Sequence, residues 1–377
     1  MLDNNDQLLT AITRLVPSLL TAMEAFEQLQ RNFHPTHSAQ LKLAFEPFEA
    51  KLREDFSYFS AVEFPEDIAV IGATLQQTAI YALRACEGLT RESTDFAPMM
   101  RASRAHCRAQ EIIYALAPAM TPINQYFLEV NARANSTLLS ELAQSHGASR
   151  TNAADNRESQ PRGILSVANE RSMRGGFSVY IPENLDSQTP VSVVVALHGG
   201  TGHGSDFLWS WLREARTRGF ILVAPTSVGD TWSLDGPDHD LPALLKILAY
   251  LRLNWTIDDK HILLTGMSDG ATYCLQAGLS PDSPFTHLAP FSGVLHPHIV
   301  MQGGLQFARD RPIYLVHGTL DWMFPVEIAQ MARAELEQAG ADLTYREIVG
   351  LSHTYARSEN PALINWFNRT LQVPIDA

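Results

Sequence analysis

The stretch Val191–Leu197, VSVVVAL, is apolar at every position but one. A strand with one face in water alternates apolar and polar side chains, so a run like this suits a strand covered on both faces. Two covered faces call for helices above and below a largely parallel sheet, and the surrounding sequence has the alternation that such a sheet needs. Short apolar runs at Gly163–Ala168, Phe177–Ile181, Phe220–Ala224, His261–Thr265, Leu288–Phe291, Ile313–His317 and Leu343–Ile348 read as further strands. Ser205–Thr217, Leu241–Asn254, Asp269–Gly278, Val326–Gln338 and Pro361–Leu371 read as the helices between and after them. The expectation is an α/β domain over residues 162–377, with a mostly parallel eight-stranded sheet.

The sequence before it has a different period. Leu8, Ile12, Leu15, Leu19, Met23 and Phe26 recur at steps of three and four and lie on one helical face. Leu41, Phe45, Phe48 and Leu52 repeat the pattern, with Pro47 marking a kink or a helix start. Pro65 opens a third helix carrying Ile68, Ile71, Leu75 and Leu83, and a fourth runs from Pro98 to Leu116. A fifth begins at Thr121-Pro122, read as N-cap and first helical position, and continues through Phe127, Val130, Leu138 and Leu142. Residues 1–143 are therefore expected to be all helical. Residues 144–161, QSHGASRTNAADNRESQP, have almost no large apolar side chain to offset ordering entropy and read as a linker. A length of 377 residues accommodates two such domains.

The formal charge of -13 argues against nucleic acid, which is held mainly by basic residues on phosphates, and against an anionic membrane surface. Three cysteines without metal-ligand spacing suit a reducing compartment, and the cytoplasm is the expected location. Asp3 and Asp6 stand where a secretory signal would carry basic residues, and no membrane span is expected.

Chemistry concentrates at the ends of the strands. Gly266-Met267-Ser268-Asp269-Gly270 follows one strand and opens a helix. This is the GxSxG pattern in the strand–turn–helix setting that puts a serine at the apex of a strained turn, with the helix N-terminus aimed at developing negative charge. His198-Gly199-Gly200-Thr201 follows Val191–Leu197, where glycines let backbone N–H groups approach an oxyanion closely. The backbone N–H of Gly200, with Thr201 as the alternative, and that of Asp269 are the candidate donors. Asp321, just past the strand Ile313–His317, is the candidate acid that fixes the tautomer of a histidine. His353, after the last strand, is the candidate base, since it completes the chain order serine, acid, histidine.

Other histidines compete. His198 and His317 read as structural supports of their loops. His296 and His298 precede the acid and lack a carboxylate or thiolate at metal-binding spacing, so no metal is expected. Asp238-His239-Asp240 reads as a helix-cap cluster. Cys274 reads as a buried helix residue. Trp209, Trp232 and Trp322 stand near the candidate loops and are candidate substrate-pocket side chains, alongside the simpler reading of core packing.

Together LHGG, GMSDG, HGTLD and the late LSH resemble the α/β-hydrolase superfamily, from about Gly163 to the C-terminus. Within it they look like the phospholipase/carboxylesterase and dienelactone-hydrolase-like esterases, in a layout shared with polyhydroxybutyrate depolymerases and feruloyl esterases. The resemblance implies Ser268 as nucleophile, Asp321 as acid, His353 as base, and Gly200 and Asp269 as the oxyanion hole. The expected function is a serine carboxylesterase acting on a small-molecule ester through an acyl-enzyme, without cofactor. The alternatives are a prolyl-oligopeptidase-like peptidase and a non-catalytic binding protein on the same fold. The helical half is a departure from the small single-domain esterases. It is expected to serve as a lid or as the surface of a homo-oligomer.

Overall fold

Apolar residues on one face of the first helix decide how the N-terminal region packs. Helix α1 (Asn4–Gln30) buries Leu8, Leu15, Leu19, Met23 and Phe26 against α2 (Ser38–Ser60) and α3 (Ala69–Thr90). Phe26, Phe33, Phe45, Cys86, Leu89 and Met99 form one core cluster, the last from α4 (Ala97–Tyr114), which lies along α3. Full burial of a side chain such as Phe45 contributes about 2 kcal/mol. The buried Asp55 carboxylate is matched by Arg14 at 3.0 Å and Lys51 at 2.9 Å. A computed structural model describes residues 4–90, 97–148, 160–186 and 188–369. The chain divides into two units, Met1–Ala143 and Gln144–Ala377.

Pro47 neither breaks nor begins a helix: α2 runs through it. The carbonyl that loses its partner belongs to Leu43, on the exposed side of the helix, so the missing bond is not a buried one. The expected fifth helix is two helices, α5 (Thr121–Tyr126) and α6 (Ser136–Ala148), with a 3-10 turn at Val130–Ala132 between them. The Asn135 side chain accepts the N–H of Leu138 and so caps a fresh helix. Met120, not Thr121, is the N-cap residue of α5. Helix α6 also enters the expected linker and ends at Ala148, while residues 149–159 lie outside those described. By length and composition Asp6–Gln30 is apolar enough to cross a bilayer, which the sequence reading did not anticipate. Half of its most apolar 18-residue window is buried inside the protein, as in a core helix.

The second unit contains β1 (Gly163–Val167), β2 (Phe177–Ile181), β3 (Val191–Leu197), α7 (Gly204–Phe207), α8 (Leu212–Arg218), β4 (Ile221–Pro225), α9 (Asp240–Asn254), β5 (Ile257–Met267) and α10 (Asp269–Gly278). It continues with β6 (His287–Phe291), α11 (Pro297–Met301), β7 (Pro312–Gly318), α12 (Val326–Gln338), β8 (Asp342–Ile348) and α13 (Asn360–Arg369). The eight strands form one sheet in the order β1-β2-β4-β3-β5-β6-β7-β8. Strand β2 runs antiparallel to β1 and β4, and the remaining neighbours are parallel. Strand β3 lies between β4 and β5, and Val193–Leu197 are buried throughout, as the apolar run requires.

One expected helix, Ser205–Thr217, is broken into α7, a 3-10 turn at Leu208–Ser210, and α8. Leu208, Trp209, Trp211 and Leu212 are all buried. Four buried side chains in five positions point around a helical cylinder, so no single helix face holds them. Strand β5 begins earlier than its apolar core suggests, because Ile257 pairs with Val191 ahead of the polar residues Asp258–Lys260. The loops leaving the C-terminal ends of β3, β5, β7 and β8 carry all five residues expected to act in the chemistry.

Candidate active site

The turn from β5 into α10 leaves little freedom to Ser268. Its backbone adopts φ 57° and ψ -120°, a left-handed conformation costly for a residue with a Cβ. Both flanking glycines are required by close approach. A Cβ on Gly270 would stand 2.4 Å from the His198 carbonyl oxygen, and one on Gly266 would stand 2.5 Å from that of Gly270. The Ser268 N–H is fixed to the Phe291 carbonyl at 2.9 Å. The hydroxyl therefore projects from a rigid apex, and the residue is only 7% exposed.

The structure brings the other two candidates to that hydroxyl. His353 Nε2 lies 3.1 Å from Ser268 Oγ, and its Nδ1 lies 2.8 Å and 3.0 Å from the two Asp321 carboxylate oxygens. With Nδ1 donating to the carboxylate, Nε2 carries the lone pair toward the serine. Asp321 Oδ1 also accepts the N–H groups of Met323 and Phe324, at 3.0 Å and 2.8 Å. Burial works to raise the Asp321 pKa, but the hydrogen bond and charge of His353 and the Phe324 N–H outweigh it. The carboxyl therefore sits below its ordinary range. The acid and histidine loops are tied by Thr319 N–H to Ile348 O and Leu320 N–H to Leu351 O, each 3.0 Å, and by Gly350 N–H to Thr319 Oγ1 at 2.9 Å.

Gly200 and Asp269 meet beside the serine: a Cβ on Gly200 would lie 2.6 Å from Asp269 Oδ2. Asp269 is the first residue of α10, so its N–H has no partner within the helix. The alternative donor, Thr201, is spent, since its N–H bonds the Asp230 carbonyl at 3.2 Å. The Asp269 carboxylate accepts from Thr231 Oγ1 at 2.5 Å.

His198 holds its loop, as the sequence suggested. Its Nε2 accepts the Ser227 N–H at 3.1 Å and its Nδ1 donates to the Gly199 carbonyl at 2.7 Å. Burial pushes its pKa down to about 3, so it stays neutral. His317 donates from Nε2 to Phe324 O at 2.8 Å. His296 Nδ1 accepts the His298 N–H and caps the short helix α11. Asp238 accepts the N–H groups of Asp240 and Leu241 at the start of α9, each at 3.0 Å. The Cys274 thiol is buried, donates to Leu264 O, and has its pKa pushed up by burial.

Two of the three candidate pocket tryptophans are core residues instead. Trp232 is 3% exposed, stacks on Tyr273, and spends its indole N–H on the His198 carbonyl at 2.7 Å. Trp209 is equally buried, at 3%. Proximity to a motif in sequence did not separate a pocket wall from packing. Trp322 does lie by the candidate base, its ring 6.3 Å from that of His353, and Phe324 meets the same imidazole edge-on at 5.3 Å.

Two further residues tie the loops around Gly200 together: Arg174, which the sequence did not single out, and Asp240, which it placed only in a helix-cap cluster. Arg174, in the turn before β2, donates to backbone carbonyls of two different loops. Asp240, buried, accepts Val228 N–H at 2.7 Å and Ser233 N–H at 2.8 Å. No motif at Arg174 announces these contacts, and the cap cluster around Asp240 does not point to its loop partners. The Arg-Gly-Gly sequence at 174–176 signals a turn but not its partners.

The sheet order, the serine at the β5–α10 apex and the late histidine have the layout of the α/β-hydrolase fold. Residues 242–370 match the Phospholipase/Carboxylesterase family. A bifunctional acetylxylan esterase/xylanase of Neocallimastix patriciarum is 30% identical over 163 residues, which is 42% of this chain. The chain spans 23% of the length of that relative. Among solved structures, a thermostable esterase is 21% identical with a TM-score of 0.45, covering 55% of this chain and 62% of its own. An acetyl xylan esterase from Aspergillus awamori is 16% identical with a TM-score of 0.44, covering 55% of this chain and 99% of its own.

Proposed function

We propose that the second unit is a serine carboxylesterase that hydrolyses small carboxylic esters through an acyl-enzyme intermediate. The observation that carries this reading is the line from Ser268 Oγ through His353 to Asp321, with hydrogen-bond distances of 3.1 Å and 2.8 Å. His353 Nε2 takes the hydroxyl proton as Oγ attacks the ester carbonyl carbon. The carbonyl oxygen becomes an oxyanion, stabilised by the backbone N–H groups of Gly200 and Asp269. The intermediate collapses, the C–O bond to the alcohol breaks, and His353 returns the proton to the leaving oxygen. Water then enters, gives a proton to His353 and attacks the acyl carbon. Ser268 leaves with that proton, and the carboxylic acid is released. Asp321 remains ionised throughout and stabilises the imidazolium. The family match over residues 242–370 supports the ester as substrate. The acetylxylan esterase activity in the name of the fungal relative supports short acyl groups.

The test is hydrolysis of p-nitrophenyl acetate by the full chain and by Ser268→Ala, with fluorophosphonate labelling of both. The wild type is expected to turn over and to take the label. The variant should lose at least about 10⁴-fold in kcat and all label, with an unchanged circular dichroism spectrum. Substantial hydrolysis by the variant would overturn the assignment. Faster cleavage of aminoacyl anilides than of esters would favour the peptidase, and a wild type without turnover or label would leave the binding protein.

A further inference from the structure

Arg174 lies on the turn between β1 and β2, far in sequence from every residue assigned a role above. That turn is anchored to the C-terminal end of β4 by Thr226 N–H to Gly176 O at 2.8 Å and Gly175 N–H to Ser227 O at 3.2 Å. From there the guanidinium reaches two loops. Its Nη1 donates to Gly202 O, in the β3–α7 loop, at 2.7 Å. Its Nε donates to Gly229 O at 2.9 Å and Ser227 O at 3.2 Å, and its Nη2 to Asp230 O at 3.1 Å and to Ser227 Oγ, all in the β4–α9 loop. By contrast, nearby Arg171 pairs with a carboxylate, Asp206, at 2.7 Å.

Several carbonyl dipoles aimed at one point repel each other, and a planar cation with five fixed donors is the side chain that reconciles them. The two loops are also linked directly: Thr201 N–H bonds Asp230 O, Ser227 N–H bonds His198 Nε2, and Trp232 Nε1–H bonds His198 O. Of these, only the first touches the Gly199–Gly202 turn, alongside the Arg174 bond to Gly202 O. The clamp encloses the segment that matters. Gly202 N–H closes a turn onto Gly199 O at 3.0 Å, and Gly200 lies inside that turn. Thr201, with its N–H held by Asp230, has φ 55°, a conformation that needs outside support in a non-glycine residue. The orientation of the Gly200 amide therefore depends on where Gly202 and Asp230 are held, and Arg174 holds both.

We propose that Arg174 is a positioning residue for the oxyanion hole: by bridging Gly202 O to the Ser227–Asp230 carbonyls it fixes the Gly200 N–H for the transition state. The inference rests on the esterase reading. It predicts a signature distinct from loss of stability. Ground-state binding makes little use of an oxyanion donor, whereas the transition state depends on it. Removing one such donor outright costs about 10²–10³ in kcat, and misplacing it should cost about 10–100-fold.

The full chain is assayed on p-nitrophenyl acetate as wild type, Arg174→Ala and Arg174→Lys, with affinity for an alkyl boronic acid as a tetrahedral mimic. Both variants are expected to lose about 10–100-fold in kcat with KM within about threefold, and the boronate should weaken in parallel with kcat/KM. Lysine keeps the charge but cannot span both loops, so it should not rescue. Added guanidinium ion at millimolar concentration should restore part of the rate in Arg174→Ala. A kcat within twofold of wild type in both variants overturns the inference, as does a loss confined to KM. If neither variant folds, Arg174 is a folding residue and the inference also fails. A wild type that neither hydrolyses esters nor reacts with fluorophosphonate instead sinks the esterase reading beneath it.

Discussion

Asp321 Oδ1 accepts two backbone N–H groups from Met323 and Phe324 as well as facing His353 Nδ1. That arrangement decides what an amide would do in its place. In Asp321→Asn the amide oxygen would stay with the two N–H donors, and the NH2 would turn to His353. Nδ1 would then have to accept, leaving the proton on Nε2, where it points at Ser268 and blocks general-base action. A loss of about 10⁴-fold in kcat is expected, with little change in stability. Stopped-flow or steady-state hydrolysis checks it, and a variant within tenfold of wild type would show that tautomer control is not the role of Asp321. Since Asp321 sits below the ordinary carboxylate range, it stays ionised in mild acid.

At the scale of elements, the β5–α10 turn is the part of the site most legible in sequence. Strand, GxSxG and helix are contiguous, and each glycine has a local steric reason. Asp321 and His353 were legible only through chain order, because their meeting is made by β7 and β8 lying side by side. Arg174 was not legible at all. Its partners come from two loops that no periodicity relates, and a lone arginine before a turn looks like a surface residue. The split of α5 from α6 was hidden because the apolar residues continue across the gap. Trp232 misled because an aromatic near a motif gives no direction for its ring. The steric reading of the turn makes its own prediction. Gly270→Ala would press a methyl against backbone at 2.4 Å and should cost about 3 kcal/mol or prevent folding. Gly219→Ala, at φ 74° with open space around it, should cost only about 1–2 kcal/mol of backbone strain. Urea melts of the two variants compare them directly, and equal losses would refute the close-approach argument.

For the molecule as a whole, acid is the condition that the buried histidines make costly. Burial pushes His198 down to about 3 and His287 down to about 4, the latter helped by the charges of His261 and Arg311. An exposed histidine titrates near 6.5, so between about pH 6.5 and 4 the unfolded chain binds protons at both positions that the folded chain refuses. The unfolded state then holds more protons, and unfolding free energy falls as pH falls, by up to about 1.4 kcal/mol per pH unit for each histidine. Asp321 adds to this at lower pH. Its depressed folded pKa stabilises the fold above the ordinary carboxylate value, and that contribution disappears as pH drops through the folded value. All six tryptophans lie between residues 209 and 366, so tryptophan fluorescence, excited selectively at about 295 nm, reports on the second unit. Urea unfolding followed by that signal at pH 7, 6 and 5 should show the midpoint falling steadily. His287 packs against Trp366 and Phe367, so His287→Phe should be accommodated with modest repacking. It removes one of the two titrations and should recover about 2 kcal/mol of the loss between pH 6.5 and 4.5, relative to its own value at pH 7. An unfolding free energy for the wild type that stays level across that range would mean that these imidazoles are not held neutral, and the packing account of His198 and His287 would have to be given up.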